Sequence, residues 1–278
     1  MRIKIFLNTA IILSILFCNH TLYAAHRIVS LKPNITEIIF DLGVGDEVVG
    51  VTKYCDYPNQ AKALPKVADY TRPFLEPIIA LQPDMVIGSK EESSKKAIDN
   101  LKQLGINTYL FSFSTLNEIF SSIIGISQTI GREKQGQEIV DSMHVKLREL
   151  KVKWEKVDKK RILIVLDRKP LVVVGKNTYL DDLLSYISAQ NVVSSASVKY
   201  PRWSIERVIA EDPDVIIDLS MNNEVSSNSK AFWSKLVTVF AIKENKVFLF
   251  DMNQLRPSPR VIKGMQELGE MIHQNRSL

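Results

Sequence analysis

The sequence predicts an α/β chain folded as two related lobes joined by a single long helix, and three observations carry that expectation. Short apolar runs bounded by Gly, Pro or Asp alternate with helical periodicity from residue 27 onward. Residues 74–87 (FLEPIIALQPDMVI) align without gaps to residues 204–217 (SIERVIAEDPDVII) at an offset of 130, with six of 14 positions identical. Residues 133–156 contain no proline, and Ile139, Met143, Leu147, Leu150 and Trp154 recur at helical spacing. That stripe predicts a rod roughly 36 Å long at about 1.5 Å per residue.

In chain order, Arg2 and Lys4 precede an apolar run from Ile5 to Phe17, followed by Thr21-Leu22-Tyr23-Ala24-Ala25. This is the anatomy of a secretory signal peptide over residues 1–24, with cleavage expected after Ala24. Cys18 follows Phe17 where a lipidation site requires a small residue, so no lipid anchor is expected. The first lobe, 25–132, opens with a strand at Arg27–Leu31. Asn34 and Glu37 have capping-box spacing for a helix ending near Gly43. Met85–Gly88 reads as a buried strand and Tyr109–Phe111 as another strand, Ser93–Leu104 as a helix stopped by Gly105, and Thr115 with Glu118 opens another capped helix. The connecting helix takes 133–157. In the second lobe, 158–278, strands are expected at Arg161–Leu166, Leu171–Val174, Val215–Leu219 and Lys246–Phe250, with helices at Tyr179–Ala189 and Arg260–His273.

Composition narrows the functional classes. With 278 residues, 45% apolar and 24% charged, and only 11 Gly and 11 Pro, the chain can bury a sizeable core and is no disordered, collagenous or coiled-coil rod. No stretch beyond residue 30 reaches the ~18 to 20 consecutive apolar residues of a membrane-crossing helix. The formal charge of +5 drops by two when Arg2 and Lys4 leave with the signal peptide, too mild an excess to argue for nucleic acid. Cys55 is then the one remaining cysteine, so packing and not an internal disulfide must supply stability.

Catalytic patterns are lacking. His26, His144 and His273 stand far apart and at no metal-ligand spacing from Cys55. Gly175-Lys176 lacks the upstream glycine and the following Ser or Thr of a phosphate loop, and there is no Gly-x-Ser-x-Gly elbow. No catalytic residue, metal or cofactor is expected.

Aromatic and basic residues instead crowd into four loops: Tyr54-Cys55-Asp56-Tyr57-Pro58, Asp69-Tyr70-Thr71-Arg72-Pro73-Phe74, Tyr200-Pro201-Arg202-Trp203, and Asp251 to Arg260. Such loops suit a cleft that holds a large flat or anionic ligand by stacking and charge-assisted hydrogen bonds. Tyr54, Tyr57, Tyr70, Tyr200, Arg202, Trp203, Asp251 and Arg256 are the expected ligand-binding residues. Glu76 and Glu206 occupy matched positions in the repeat, one per lobe, as a two-fold symmetric partner would require.

Residues 27–58, 74–89, 175–184, 203–217 and 258–272 together resemble the periplasmic binding proteins that feed ABC importers of cobalamin, haem and iron siderophores, and the likeness covers essentially the whole chain after the leader. The resemblance implies two Rossmann-like lobes bridged by one rigid helix (class III), a ligand in the inter-lobe cleft, a periplasmic location, and monomers that deliver to a permease dimer and its ATPase. It also makes Glu76 and Glu206 the lobe-surface glutamates that meet permease arginines. Tyr-Cys-Asp-Tyr-Pro and Asp251…Ser258-Pro259-Arg260 look most like the cobalamin-binding branch, although Tyr70, Ser89 and Tyr200 stand where members of that branch carry tryptophan, with Met252 after Asp251. A corrinoid is thus the expected ligand, with haem or a ferric siderophore as the alternative. A cleft enzyme with Cys55 as a metal-touching thiolate is the rival from another class.

Overall fold

Two mainly parallel sheets face each other across a cleft, and one helix runs behind both. The computed structural model describes residues 26–69, 72–91, 93–193, 198–220 and 226–274; the expected signal peptide and Tyr70 lie outside the described residues. The N-terminal lobe contains β1 (Ile28–Ser30), α1 (Pro33–Asp41), β2 (Val48–Thr52), α2 (Asn59–Lys62), β3 (Lys66–Ala68), α3 (Leu75–Ala80), β4 (Met85–Ser89), α4 (Lys95–Gln103), β5 (Asn107–Phe111) and α5 (Leu116–Thr129). Its strands are all parallel, in the order β3-β2-β1-β4-β5. Parallel strands covered by helices on both faces bury most of their residues, so β1, β2 and β4 are almost wholly buried, whereas the edge strand β5 has no buried residue.

The connecting helix is α6 (Glu133–Trp154). Val140, Met143, Leu147, Leu150 and Trp154 form its buried stripe, and Ile139 is half-buried at its margin. Gly136, the glycine in this rod, permits close approach to α5: a Cβ there would lie 2.1 Å from Ser127 Oγ. At the far end Trp154 stacks on His273, ring centroids 4.8 Å apart.

The C-terminal lobe contains β6 (Lys160–Arg168), β7 (Leu171–Val173), α7 (Tyr179–Leu184), β8 (Ala189–Asn191), α8 (Ile205–Glu211), β9 (Val215–Asp218), α9 (Ser226–Trp233), α10 (Phe240–Lys243), β10 (Val247–Leu249) and α11 (Val261–Gln274). Its sheet order is β10-β9-β6-β7, with β8 also on β6; only the β6–β7 pair is antiparallel. One continuous apolar core runs from Ile28 and Ile38 of the first lobe through Met143 and Leu147 of α6 to Ile162, Leu183 and Leu268 of the second.

Several elements differ from the sequence-based expectation. The capping box at Thr115 and Glu118 forms, with Glu118 N donating to Thr115 Oγ1 at 3.2 Å and Thr115 N to Glu118 Oε2 at 3.1 Å. The one expected at Asn34 and Glu37 does not. Helix α1 starts on Pro33, whose fixed φ and missing N–H suit the first turn, so Asn34 lies inside the helix and Glu37 faces the other lobe. The expected helix Tyr179–Ala189 breaks after Leu184 into a 3₁₀ turn, Ser188 turns left-handed (φ 49), and the chain enters β8. Pairing of β8 with β6 overrides the helical periodicity there. Strands β2 and β3 were not anticipated.

Candidate ligand-binding cleft

A cavity of about 610 Å³ opens between the lobes. From the N-terminal lobe, its walls come from segments at or beyond the carboxyl ends of strands: Lys32–Asn34 after β1, Tyr54 after β2, Ser89 and Glu91 at β4, and Phe113 and Ser114 after β5. The second lobe contributes Tyr179 and Leu180 from the start of α7, Lys199 and Tyr200 from the loop after β8, and Met252, Asn253 and Arg256 beyond β10. Open α/β sheets place ligands at this end because the loops there are free to vary while the strands hold them in place.

The floor of the cleft is tied across the lobes. Ser114 O accepts from Tyr179 N at 2.6 Å. Leu116 N, in the first turn of α5, donates to Asp182 Oδ2 at 2.9 Å, so a carboxylate of the second lobe caps a helix of the first. The Tyr179 hydroxyl donates to Leu255 O at 2.9 Å.

A tighter tie centres on Glu37, which is 1% exposed. Its Oε1 accepts from Arg256 NH1 at 3.2 Å and Arg260 NH2 at 2.6 Å; its Oε2 accepts from Ser258 Oγ at 2.6 Å and Arg260 Nε at 3.2 Å. Four donors and two guanidiniums surround this buried carboxylate, so its polar oxygens are all partnered. Arg256 also donates to Asp56 at 2.5 Å, Tyr54 O at 3.3 Å and Asn253 Oδ1 at 2.7 Å. One guanidinium thus joins the loop bearing Tyr54 to the loop bearing Met252.

The expected ligand residues separate into groups. Tyr54 and Tyr200, 50% and 41% exposed, line the cavity from opposite lobes. Arg256 reaches the cavity wall, but its terminal nitrogens are engaged by protein acceptors. Tyr57 lines a different groove, between α6 and α11, with the Arg260 guanidinium 4.2 Å over its ring. Trp203 does not face the cleft: it is 7% exposed in the second lobe's own core, with Arg207 4.7 Å over its ring. Arg202 bridges Val172 and points to solvent, and Asp251 accepts from Asn253 N at 2.9 Å, shaping the turn that carries Met252. Lys32, Asn34, Phe113 and Lys199 line the cavity and were missed from sequence; Lys32, Asn34 and Phe113 lie within a few residues of a strand end, the one signal that marked them. Glu76 and Glu206 stand exposed in the first turns of α3 and α8. For Glu206, its own backbone N–H, then the Ser204 hydroxyl, holds the carboxyl below the usual range.

Cys55 is 2% exposed, its thiol between the hydroxyls of Thr36 and Thr52 at 3.2 Å each. It does not line the cavity. Among the described residues no three His, Cys, Asp or Glu side chains come together as a metal site, and no helix is long and apolar enough to cross a membrane.

Two α/β lobes, one bridging helix and a solvent-open cavity at the strand ends define a protein that holds a small molecule between its halves. The chain belongs to the periplasmic binding protein family, whose model matches residues 28–252, and within it to the class III members of the cobalamin, haem and iron branch. It is 32% identical over 247 residues to a vitamin B12-binding protein of Vibrio campbellii, covering 88% of this chain and 89% of that one. It is 31% identical over 255 residues to an uncharacterised ABC transporter substrate-binding lipoprotein of Bacillus subtilis, covering 89% and 80%. The crystal structure of the periplasmic vitamin B12-binding protein of Vibrio cholerae superposes with a TM-score of 0.77 at 26% identity, over 91% of this chain and 99% of that one. These relatives are named as substrate-binding proteins of transporters.

Proposed function

We propose that this protein captures a corrinoid, cobalamin, in the inter-lobe cleft and delivers it to an ABC permease dimer with its ATPase. The observation that carries the reading is the cavity itself. Two exposed tyrosines line it from opposite lobes, with exposed Lys199, buried Lys32 and Glu91 among its other wall residues. Phenol rings offer stacking area to a planar macrocycle, and the exposed Lys199 ammonium suits the phosphodiester and carboxamide arms of a corrinoid. The curated B12-binding relatives support the same assignment. The exposed phenols at the cleft also suit a ferric centre, which makes haem or a ferric siderophore the second reading.

In this account Ala24 ends a removed leader, the mature protein is a monomer in the periplasm without lipid, and Glu76 and Glu206 dock against basic residues of the two permease subunits. Incubation with cyanocobalamin, haemin and a ferric catecholate, followed by gel filtration, tests the ligand. A stoichiometric red complex with cyanocobalamin alone is expected; retention of only haemin or the catecholate would move the protein to the second reading.

A further inference from the structure

The two copies of the internal repeat have kept unusual positions in common. In α3 and α8 the buried side chains differ, Ile78 against Val208; in the strands that follow, Met85-Val86 stands against Val215-Ile216 and of the buried positions Ile87 and Ile217 alone match. The identical positions in these helices are Glu76 and Glu206, Ile79 and Ile209, Ala80 and Ala210, all exposed. Ile79 is 43% exposed and Ile209 42%. Neither core requires an isoleucine there, and scattered duplication relics would favour the packed positions over the solvated ones.

Both helices are presented in the same way. Each ends in a left-handed residue, Gln82 (φ 47) and Asp212 (φ 41). Each is followed by a Pro-Asp turn whose carboxylate accepts from a strand N–H at 2.7 Å, Asp84 from Arg27 and Asp214 from Arg161. Arginine side chains 27 and 161 then reach back to the carbonyls of Leu81 and Asp212. Since α3 joins two parallel strands and α8 does likewise, each helix runs antiparallel to its sheet and carries its first turn to the end where the cleft opens.

Residues three apart on a helix share a face. We infer that Ile79 and Ile209 are the apolar contacts of a two-point docking surface, each one turn from its glutamate, and that the partner presents two copies of one site in which an apolar pocket lies beside a basic group. The adjacent Ala80 and Ala210 leave room for that pocket to close over the isoleucine. This inference rests on the proposed delivery to a permease dimer, a partner whose two-fold symmetry offers the same site twice. The glutamates steer and register the encounter, whereas burial of the isoleucines sets how long the complex lasts.

The test uses the purified full-length mature protein and its permease–ATPase complex in lipid nanodiscs, with association and dissociation followed on an optical biosensor. Ile79→Ala with Ile209→Ala should raise the docking Kd by about tenfold or more, mostly through faster dissociation, with thermal stability and cyanocobalamin affinity unchanged. Val152→Ala, an exposed control 70% accessible on α6, should leave docking untouched. Wild-type docking by the double isoleucine variant overturns the inference; if Glu76→Lys with Glu206→Lys abolishes docking in the same assay, the delivery reading survives that failure. Absence of docking by the wild-type chain, or docking insensitive to both pairs, overturns the delivery reading along with it.

Discussion

Arg256 and Glu37 illustrate how a residue's surroundings decide its work. A flexible arginine in a loop after a strand is suited to grip a ligand, but here the fork is held by Glu37, Asp56, Asn253 and the Tyr54 carbonyl. Removing one side of a buried ion pair leaves an uncompensated charge, at a cost of about 3 kcal/mol or more. Glu37→Gln should therefore lower the melting temperature severely, since both guanidiniums lose their shared anion. Arg256→Ala should do so more mildly, because Arg260 and Ser258 still satisfy the carboxylate. Calorimetry and ligand titration on the same variants check this, and an Arg256→Ala protein with unaltered stability and lost affinity would contradict it.

Asp41 offers a second residue-scale prediction. Asp41 is exposed as a residue but its carboxyl borders the recess with Tyr57, Lys146 and Arg260; partial loss of solvation there, then repulsion from Glu37, raises its pKa from 3.8 to about 6. A raised acid binds its proton more tightly folded than unfolded. Its ionisation therefore costs stability progressively as pH rises from about 4 to about 6, and the full cost is present above that window. Asp41→Asn should melt higher than wild type at pH 7.5, with the gap closing by pH 4. A gap of constant size across that range would contradict the assignment.

What could be read locally was legible at this scale, and what depended on distant partners was not. The Thr115 cap needs only residues 115 and 118. Glu37 has the same spacing from Asn34, yet its partners lie 219 to 223 positions away, so a local motif was found where a long-range one exists. Trp203 sat in an aromatic loop, but adjacent residues in extended chain point opposite ways, and it is Arg202 that faces solvent while the indole turns into the core.

At the scale of elements, alternation and the Pro-Asp repeat located β4, β9, α3, α8 and the long helix, because each has a strong period or a duplicate elsewhere in the chain. Strands β3 (Lys-Val-Ala) and β8 (Ala-Gln-Asn) carry no apolar run, unlike the equally short β1, β7 and β10, and depend on pairing alone. The helix pair α5 and α6 gives a prediction whose sign is informative. Replacing a helical glycine by alanine ordinarily gains about 1 kcal/mol, yet Gly136→Ala would set a methyl 2.1 Å from Ser127 Oγ and 2.4 Å from its Cβ. Strain should outweigh propensity and destabilise the protein by roughly 1 to 3 kcal/mol. A stabilised variant in chemical denaturation would show that α5 and α6 are less closely packed than described.

For the molecule as a whole, the shared core beneath the cleft, the Glu37 network and the Asp182 cap all bind the lobes to each other as well as to α6. A rigid helix and an undivided core favour small adjustments over wide hinge closure, so the cleft is largely formed before a ligand arrives. In the proposed role, the two exposed tyrosines Tyr54 and Tyr200, from opposite lobes, would hold a planar ligand between surfaces that move little. Isothermal titration of cyanocobalamin into the mature protein tests this claim most directly, alongside a Tyr54→Ala, Tyr200→Ala variant of unchanged melting temperature. One site per protein, with affinity at least tenfold weaker in the variant, is the expected result; no binding by the wild-type protein, or equal affinity in both, would contradict it.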